Sequence, residues 1–144
     1  MIKIKQNNAP KYRKYVLDGL VENNKQKCKW FKENSDDEKN KNFLVFDEDR
    51  LVGGAIGHVL YNWYFLELLW IEEAYRGQDI GTALIKNIEE YANKENLTGI
   101  RMETWNFQAK GFYEKMGYKL YATIEDCPPG TIDYFFKKKL NDKE

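Results

Sequence analysis

The hydrophobic pattern changes period in mid-chain, and this change limits the possible folds most sharply. From Trp63 to Ile71 the residues are apolar on both faces of an extended chain, which predicts a central strand covered on both sides. A polar, glycine-containing stretch follows. Ile80, Ala83, Leu84, Ile88, Tyr91 and Ala92 then recur at helical spacing, predicting a helix from about Asp79 to Glu95. Gly99 to Trp105 is strand-like again. Strand, helix and strand in this order make a β-α-β crossover.

The flanks of the crossover follow other patterns. Met1 to Lys5 alternates like a short strand. Pro10 to about Asn24 has Tyr12, Tyr15, Val16, Gly19 and Leu20 at helical spacing and a proline in the first turn. Lys25 to Asn42 is polar, apart from Trp30 and Phe31, and suits a short second helix and a loop. Phe43–Phe46, Arg50–Leu60 and Trp63–Ile71 are strands joined by short turns, so they form an antiparallel meander. Ala109, Phe112, Tyr113 and Met116 share one face of a short helix that Gly117 stops. Tyr118–Ile124 and Ile132–Phe136 are the last strands. The fold class expected is α/β of the α+β type: a mixed, mostly antiparallel sheet with a central β-α-β crossover and flanking helices.

A chain of 144 residues suits one domain, 1–144, with a single core. Lys and Arg number 23, as do Asp and Glu, so no net charge directs the chain to nucleic acid or an anionic membrane. Cys28 and Cys127 lie far apart with no CxxC spacing, which argues against a zinc cage or a disulfide framework; no metal is expected. The start, MIKIKQNNAPKY, has no apolar signal-peptide core, and no stretch approaches the ~18 apolar residues of a membrane span. A reducing cytoplasm is the expected location.

The stretch Arg76-Gly77-Gln78-Asp79-Ile80-Gly81-Thr82 joins a strand to an amphipathic helix. Free N–H groups and the positive end of the helix dipole make such a turn an anion site, although an ordinary capped connection has the same pattern. Aspartate at position 79 suits a helix cap and tolerates left-handed backbone angles. The spacing matches neither GxGxxG nor GxxxxGK[ST].

Arg76 to Leu84 resembles the pyrophosphate-binding loop of the GCN5-related N-acetyltransferase (GNAT) family, with the pattern Gln/Arg-x-x-Gly-x-Gly/Ala. Arg76 and Gly81 match, and Asp79 replaces the first glycine. Asn106 to Tyr118 resembles the family's later Asn…Ala…PheTyr…GlyPhe/Tyr motif through Asn106, Ala109, Phe112, Tyr113, Gly117 and Tyr118. The resemblance spans about Val45 to Leu140. It implies acetyl-CoA as co-substrate, lying where Trp63–Ile71 and Gly99–Trp105 splay apart as neighbouring parallel strands. It also implies that backbone groups near Trp70 and Ile71 pair with the pantetheine arm. The turn of Arg76, Gly77, Gln78, Asp79, Ile80, Gly81 and Thr82 would hold the pyrophosphate, Asn106 would reach the pantetheine, and Tyr113 would lie near the thioester sulfur.

Glu67 is the only charged residue between Asn62 and Ile71. A carboxylate in an apolar strand is costly unless paired, solvated or useful, and burial would raise its pKa toward that of a general base. A structural ion pair with a lysine or arginine is the alternative. Tyr113 could protonate or hydrogen-bond a departing thiolate, or pack in the core. His58 suits a structural role or the cleft rim. Cys127 lacks a basic partner, and Lys137–Lys139 suits a solvated strand end. Trp30 and Phe31 fall where the family builds its acceptor pocket. The activity expected is acetyl transfer to an amine, with Glu67 as base and Tyr113 as acid. The acceptor expected is a small-molecule amine, with a protein amine as an alternative and a homodimer compatible with the sequence. A binding module that keeps the CoA cleft without turnover is the competing reading.

Overall fold

The computed structural model describes residues 1–35 and 37–140; Asp36, in the loop expected between Lys25 and Asn42, lies outside them. The chain divides into two compact units, Met1–Asp37 and the chain from Glu38 onward. In the first, α1 (Pro10–Lys27) opens with the expected proline and closes where the Cys28 N–H donates to the Asn24 carbonyl at 2.9 Å. Lys25 and Lys27 complement the negative end of its dipole. A short α2 (Lys29–Glu33) follows. The strand expected over Met1–Lys5 does not form: Ile2 and Ile4 are exposed and the segment joins no ladder. Alternation makes a strand only where an edge is available to pair with it.

The second unit is a seven-stranded sheet with two helices. Its strands are β1 (Lys39–Asn40), β2 (Phe43–Asp47), β3 (Arg50–Leu60), β4 (Trp63–Ile71), β5 (Gly99–Trp105), β6 (Lys119–Glu125) and β7 (Ile132–Lys139). The order is β1-β3-β4-β5-β7-β6, with β2 also paired to β3. β2, β3 and β4 form the antiparallel meander, and β4 and β5 are parallel across the crossover helix α3 (Ile80–Lys94). α3 buries Leu84, Ile85, Ile88 and Ala92 in one core with Tyr64 and Leu66 of β4 and Ile100 and Met102 of β5. Full burial of a leucine or isoleucine contributes about 1.5–3 kcal/mol, so this stripe holds the helix to the sheet.

The expectation that β4 is covered on both faces holds only in part. Ile56 pairs with Leu68 and Gly57 with Leu66, so Glu67 is an extra residue bulging from β4. Tyr64 and Leu66 face the core before the bulge, and Leu69 and Ile71 pack on it afterwards; Leu68 and Trp70 are exposed. A bulge adds twist and re-aims the side chain that it carries.

α4 (Lys110–Lys115) ends as Gly117 foreshadows. Gly117 has φ 91°, its N–H donates to the Glu114 carbonyl at 3.0 Å, and the Tyr118 N–H donates to Tyr113 at 3.0 Å. This paired closure satisfies the last carbonyls of the helix. Lys138 is not part of a solvated strand end: its ammonium donates to Glu89 Oε2 at 3.1 Å, which also accepts from the Tyr118 hydroxyl at 2.8 Å. Lys137 and Lys139 are exposed, as expected. Among the described residues, no helix is long and apolar enough to cross a membrane.

Gly57 stands beside the bulge with no room for a side chain. A Cβ there would meet the Tyr64 ring at 2.5 Å and the Phe65 carbonyl oxygen at 2.6 Å. Tyr64 cannot easily retreat, because it is fully buried and its hydroxyl donates to the Lys41 carbonyl at 2.9 Å. Gly57→Ala is expected to cost about 1–3 kcal/mol. Denaturant unfolding checks this, and unchanged stability would mean that β3 and β4 slide apart freely here.

Candidate active site

β4 and β5 pair from Trp63↔Gly99 to Leu66↔Met102 and no further, although β4 continues to Ile71 and β5 to Trp105. Beyond that point β4 remains paired to β3, and β5 to β7. Each strand therefore keeps one satisfied edge and turns the other toward a cleft. Backbone groups along such an edge need water or an extended ligand as partners.

Where the strands part lies a cavity of about 410 Å³, lined among others by Phe65, Glu67, Leu69, Glu103, Tyr113 and Asp133. Glu67 and Tyr113, proposed from the sequence as base and acid, are thus on the walls of one cavity. Glu67 is less enclosed than expected, with its side chain 51% exposed. Its titratable neighbour is a histidine rather than a lysine or arginine: His58 Nδ1 lies 3.8 Å from Glu67 Oε1, and His58 Nε2 lies 3.6 Å from Glu38 Oε1. These separations exceed a direct hydrogen bond, so the three groups interact through charge or through intervening water. The bulge accounts for the exposure, since it lifts Glu67 out of the ladder.

Tyr113 is 4% exposed and packs edge-on against Phe112 and Tyr118. Burial pushes its phenol well above the ordinary tyrosine range, so the group remains a neutral O–H donor. The closure of α4 at Gly117 fixes this helix and with it the tyrosine.

At the far end of the open β4 edge, a second hollow of about 280 Å³ is lined by Ile71, Arg76, Gly77, Asp79, Gly81 and Thr82, among others. Gly77 (φ 78°) and Asp79 (φ 61°) are both left-handed, which bends the turn. The first helical bond runs from the Ala83 N–H to the Asp79 carbonyl at 3.0 Å. The N–H groups of Ile80, Gly81 and Thr82 precede it and lack acceptors within the helix. The Asp79 side chain makes no capping hydrogen bond, contrary to expectation. A capping side chain requires an extended backbone at that position, and the left-handed conformation removes it. Arg76 Nε donates to the Ile71 carbonyl at 2.8 Å, tying the turn to the end of β4. Trp70 and Gln78 are exposed.

The remaining candidates are placed differently. Asn106 Oδ1 accepts from the Ile132 N–H at 3.2 Å, which commits that side of the amide to holding β7. Trp30 and Phe31 lie on α2 in the first unit, edge to face at 5.3 Å. The sequence reading missed Glu103, Asp133 and Gln108. Neither Glu103 nor Asp133 stood out, because β5 also carries Arg101 and Thr104 and β7 ends in three lysines, so a carboxyl there breaks no apolar run. Gln108 Oε1 accepts from the Trp105 N–H at 3.0 Å and from Thr104 Oγ1 at 3.2 Å, closing the loop after β5.

The profile of the acetyltransferase (GNAT) family matches residues 5–118. A blasticidin-S acetyltransferase of Streptomyces morookaense is 41% identical over 95 residues, covering 65% of this chain and 70% of its own. The acetyltransferase Atu2258 of Agrobacterium fabrum is 34% identical over 105 residues, 72% of this chain and 77% of its own. Among solved structures, an acetyltransferase of Bacillus cereus superposes with TM-score 0.84 at 27% identity, over 96% of this chain and 98% of that one. The matched profile, these relatives and the strands that part beside a glycine-bearing turn at a helix start agree: the chain belongs to the GNAT family and is an acetyl-CoA-dependent acetyltransferase.

Proposed function

We propose that the protein moves an acetyl group from acetyl-CoA to a primary amine of a small molecule by direct attack. The observation that carries this reading is the cavity at the parting of β4 and β5, with a carboxylate on one wall and a buried phenol on another. The donor's pantetheine runs along the open edge of β4, and its pyrophosphate meets the free N–H groups at the start of α3. An N–H group on that open edge polarises the thioester carbonyl. The amine reaches the cavity protonated, and Glu67 accepts its proton directly or through one water, with His58 alongside. Attack forms the new N–C bond and breaks the C–S bond; the nitrogen's second proton passes through water to the departing thiolate, so the products are the neutral amide and the CoA thiol. Tyr113 donates a hydrogen bond to the departing thiolate. Because burial makes it a weaker acid, it stabilises the thiolate chiefly by hydrogen bonding. A small acceptor is favoured by the relative named for blasticidin-S acetylation.

Release of CoA with a panel of polyamines, amino acids, aminoglycosides and lysine peptides tests this reading; turnover of none of them would refute it. Acetyl-CoA at millimolar concentration is expected to raise the melting temperature well above any effect of NAD or ATP. Glu67→Gln is expected to lower turnover by roughly 10²-fold near neutral pH, with partial recovery at high pH, where more amine is free. Tyr113→Phe keeps the packing and is expected to lower turnover at every pH, with CoA affinity nearly unchanged. Its raised pKa keeps the phenol protonated through the working range, so Tyr113 should contribute no alkaline limb below about pH 10. Equal losses of only a few-fold at all pH values would leave both residues structural.

Asp79 generates a separate expectation. Asp79→Gly removes left-handed strain of about 1–2 kcal/mol and adds unfolded-state entropy worth about 0.5–1 kcal/mol, so unliganded stability should change little. Removing a carboxylate beside the pyrophosphate should tighten CoA binding roughly two- to five-fold, with the gain shrinking in salt. Calorimetric titration measures both, and weaker binding would mean that Asp79 helps to hold the ligand.

A further inference from the structure

Besides Glu67, the same cavity holds two carboxyl groups that the transfer chemistry does not use. Trp105 of β5 lies directly opposite Asp133 of β7, and Glu103 is two residues before Trp105, so the three share one face of the sheet. Asp133 is only 4% exposed, and its Oδ1 has no hydrogen-bond partner among the described residues. Buried carboxyls are normally paired, and two on neighbouring strands repel if both ionise. The Glu103 carboxyl is held above its ordinary range, first by desolvation, then by a hydrogen bond with Asp133 and by that group's charge, against an opposing pull from Arg101. Arg101 does not line this cavity; its guanidinium lies 4.8 Å from the Phe65 ring centroid. None of the cavity's lining residues is basic, although it carries Glu67, Glu103 and Asp133. Trp105 adds an aromatic wall, with its indole N–H fixed on the Cys127 carbonyl at 2.6 Å and its ring stacked on Phe107. Two carboxyls beside a fixed indole make a site for an organic cation. The described residues offer no cluster able to hold a metal ion.

We propose that Glu103 and Asp133 bind a second cationic group of the acceptor, an ammonium or guanidinium, while the amine to be acetylated lies at Glu67. The substrate class is therefore an amine with a separate positive charge. This assignment rests on reading the cavity as the acetyl-transfer site, and the test separates the two. Hexylamine, 1,6-diaminohexane and agmatine carry respectively one amine, two amines, and an amine with a guanidinium. CoA release is measured for each with the parent enzyme, Asp133→Asn and Glu103→Gln. The parent is expected to prefer the two dications over hexylamine by at least ten-fold in kcat/KM, and both variants should bring that preference to within two-fold. Glu103 is exposed, so its variant remains informative if Asp133→Asn folds poorly. A parent preference below two-fold, or variants that retain the preference, would overturn the assignment while leaving acetyl transfer intact. If no amine is turned over, calorimetry of agmatine with the CoA-bound protein decides. Binding weakened at least ten-fold in either variant supports the cation site even though the transfer reading fails; no binding to the parent overturns the site.

Discussion

Much in this molecule depends on a ladder that stops. β4 and β5 share hydrogen bonds as far as Leu66 and Met102 and then separate, each held on its far side by another strand. Burying an unpaired backbone group costs about 1–3 kcal/mol, so a gap within a sheet is tolerable only where water or a ligand can reach it. A cavity lies at the point of separation, and a second hollow lies at the other end of the free edge, beside the turn that opens α3. Under the proposed function, an extended donor with amides in its chain and phosphates at its end would supply the missing partners, so that recognition of the donor would rest mainly on main-chain groups.

The polar groups within the second unit are unequal in what they contribute to the fold. Glu89 joins Tyr118 and Lys138 and so links α3, the end of α4 and β7 in a satisfied network. Asp133 is buried with an unsatisfied oxygen on the wall of a cavity. The first arrangement stabilises the native state, whereas the second leaves a buried acceptor unmatched, which is costly for the fold. If the proposed cation site is correct, that cost is an instance of the trade between stability and activity.

The sheet and its crossover were legible in the sequence because period-2 and period-3.6 patterns depend on local burial, and the boundaries of β3, β4 and β5 follow them residue by residue. The turn before α3 was legible as a helix start with free N–H groups because glycine and helix-start chemistry are local. Three features were not legible. Met1–Lys5 alternates like a strand, but pairing depends on an edge that no local pattern reports. Asp79 read as a cap from its residue type, whereas its backbone conformation decides that it is not one. Glu103 and Asp133 lie far apart in the chain, and only the β5–β7 register brings them to one face.

The bulge at Glu67 explains why β4 seemed apolar on both faces. Even-numbered residues face the core before it and odd-numbered residues after it, so the run joins two half-strands of opposite phase. No glycine or proline in β4 marks the joint. What the joint imposes is a rule for substitution. Polar replacements should be poorly tolerated at alternate positions throughout the strand, with the alternation slipping by one at Glu67. A backbone irregularity on the wall of the cavity would thus be recorded as a phase shift in mutational tolerance, at a place where the composition of β4 is silent.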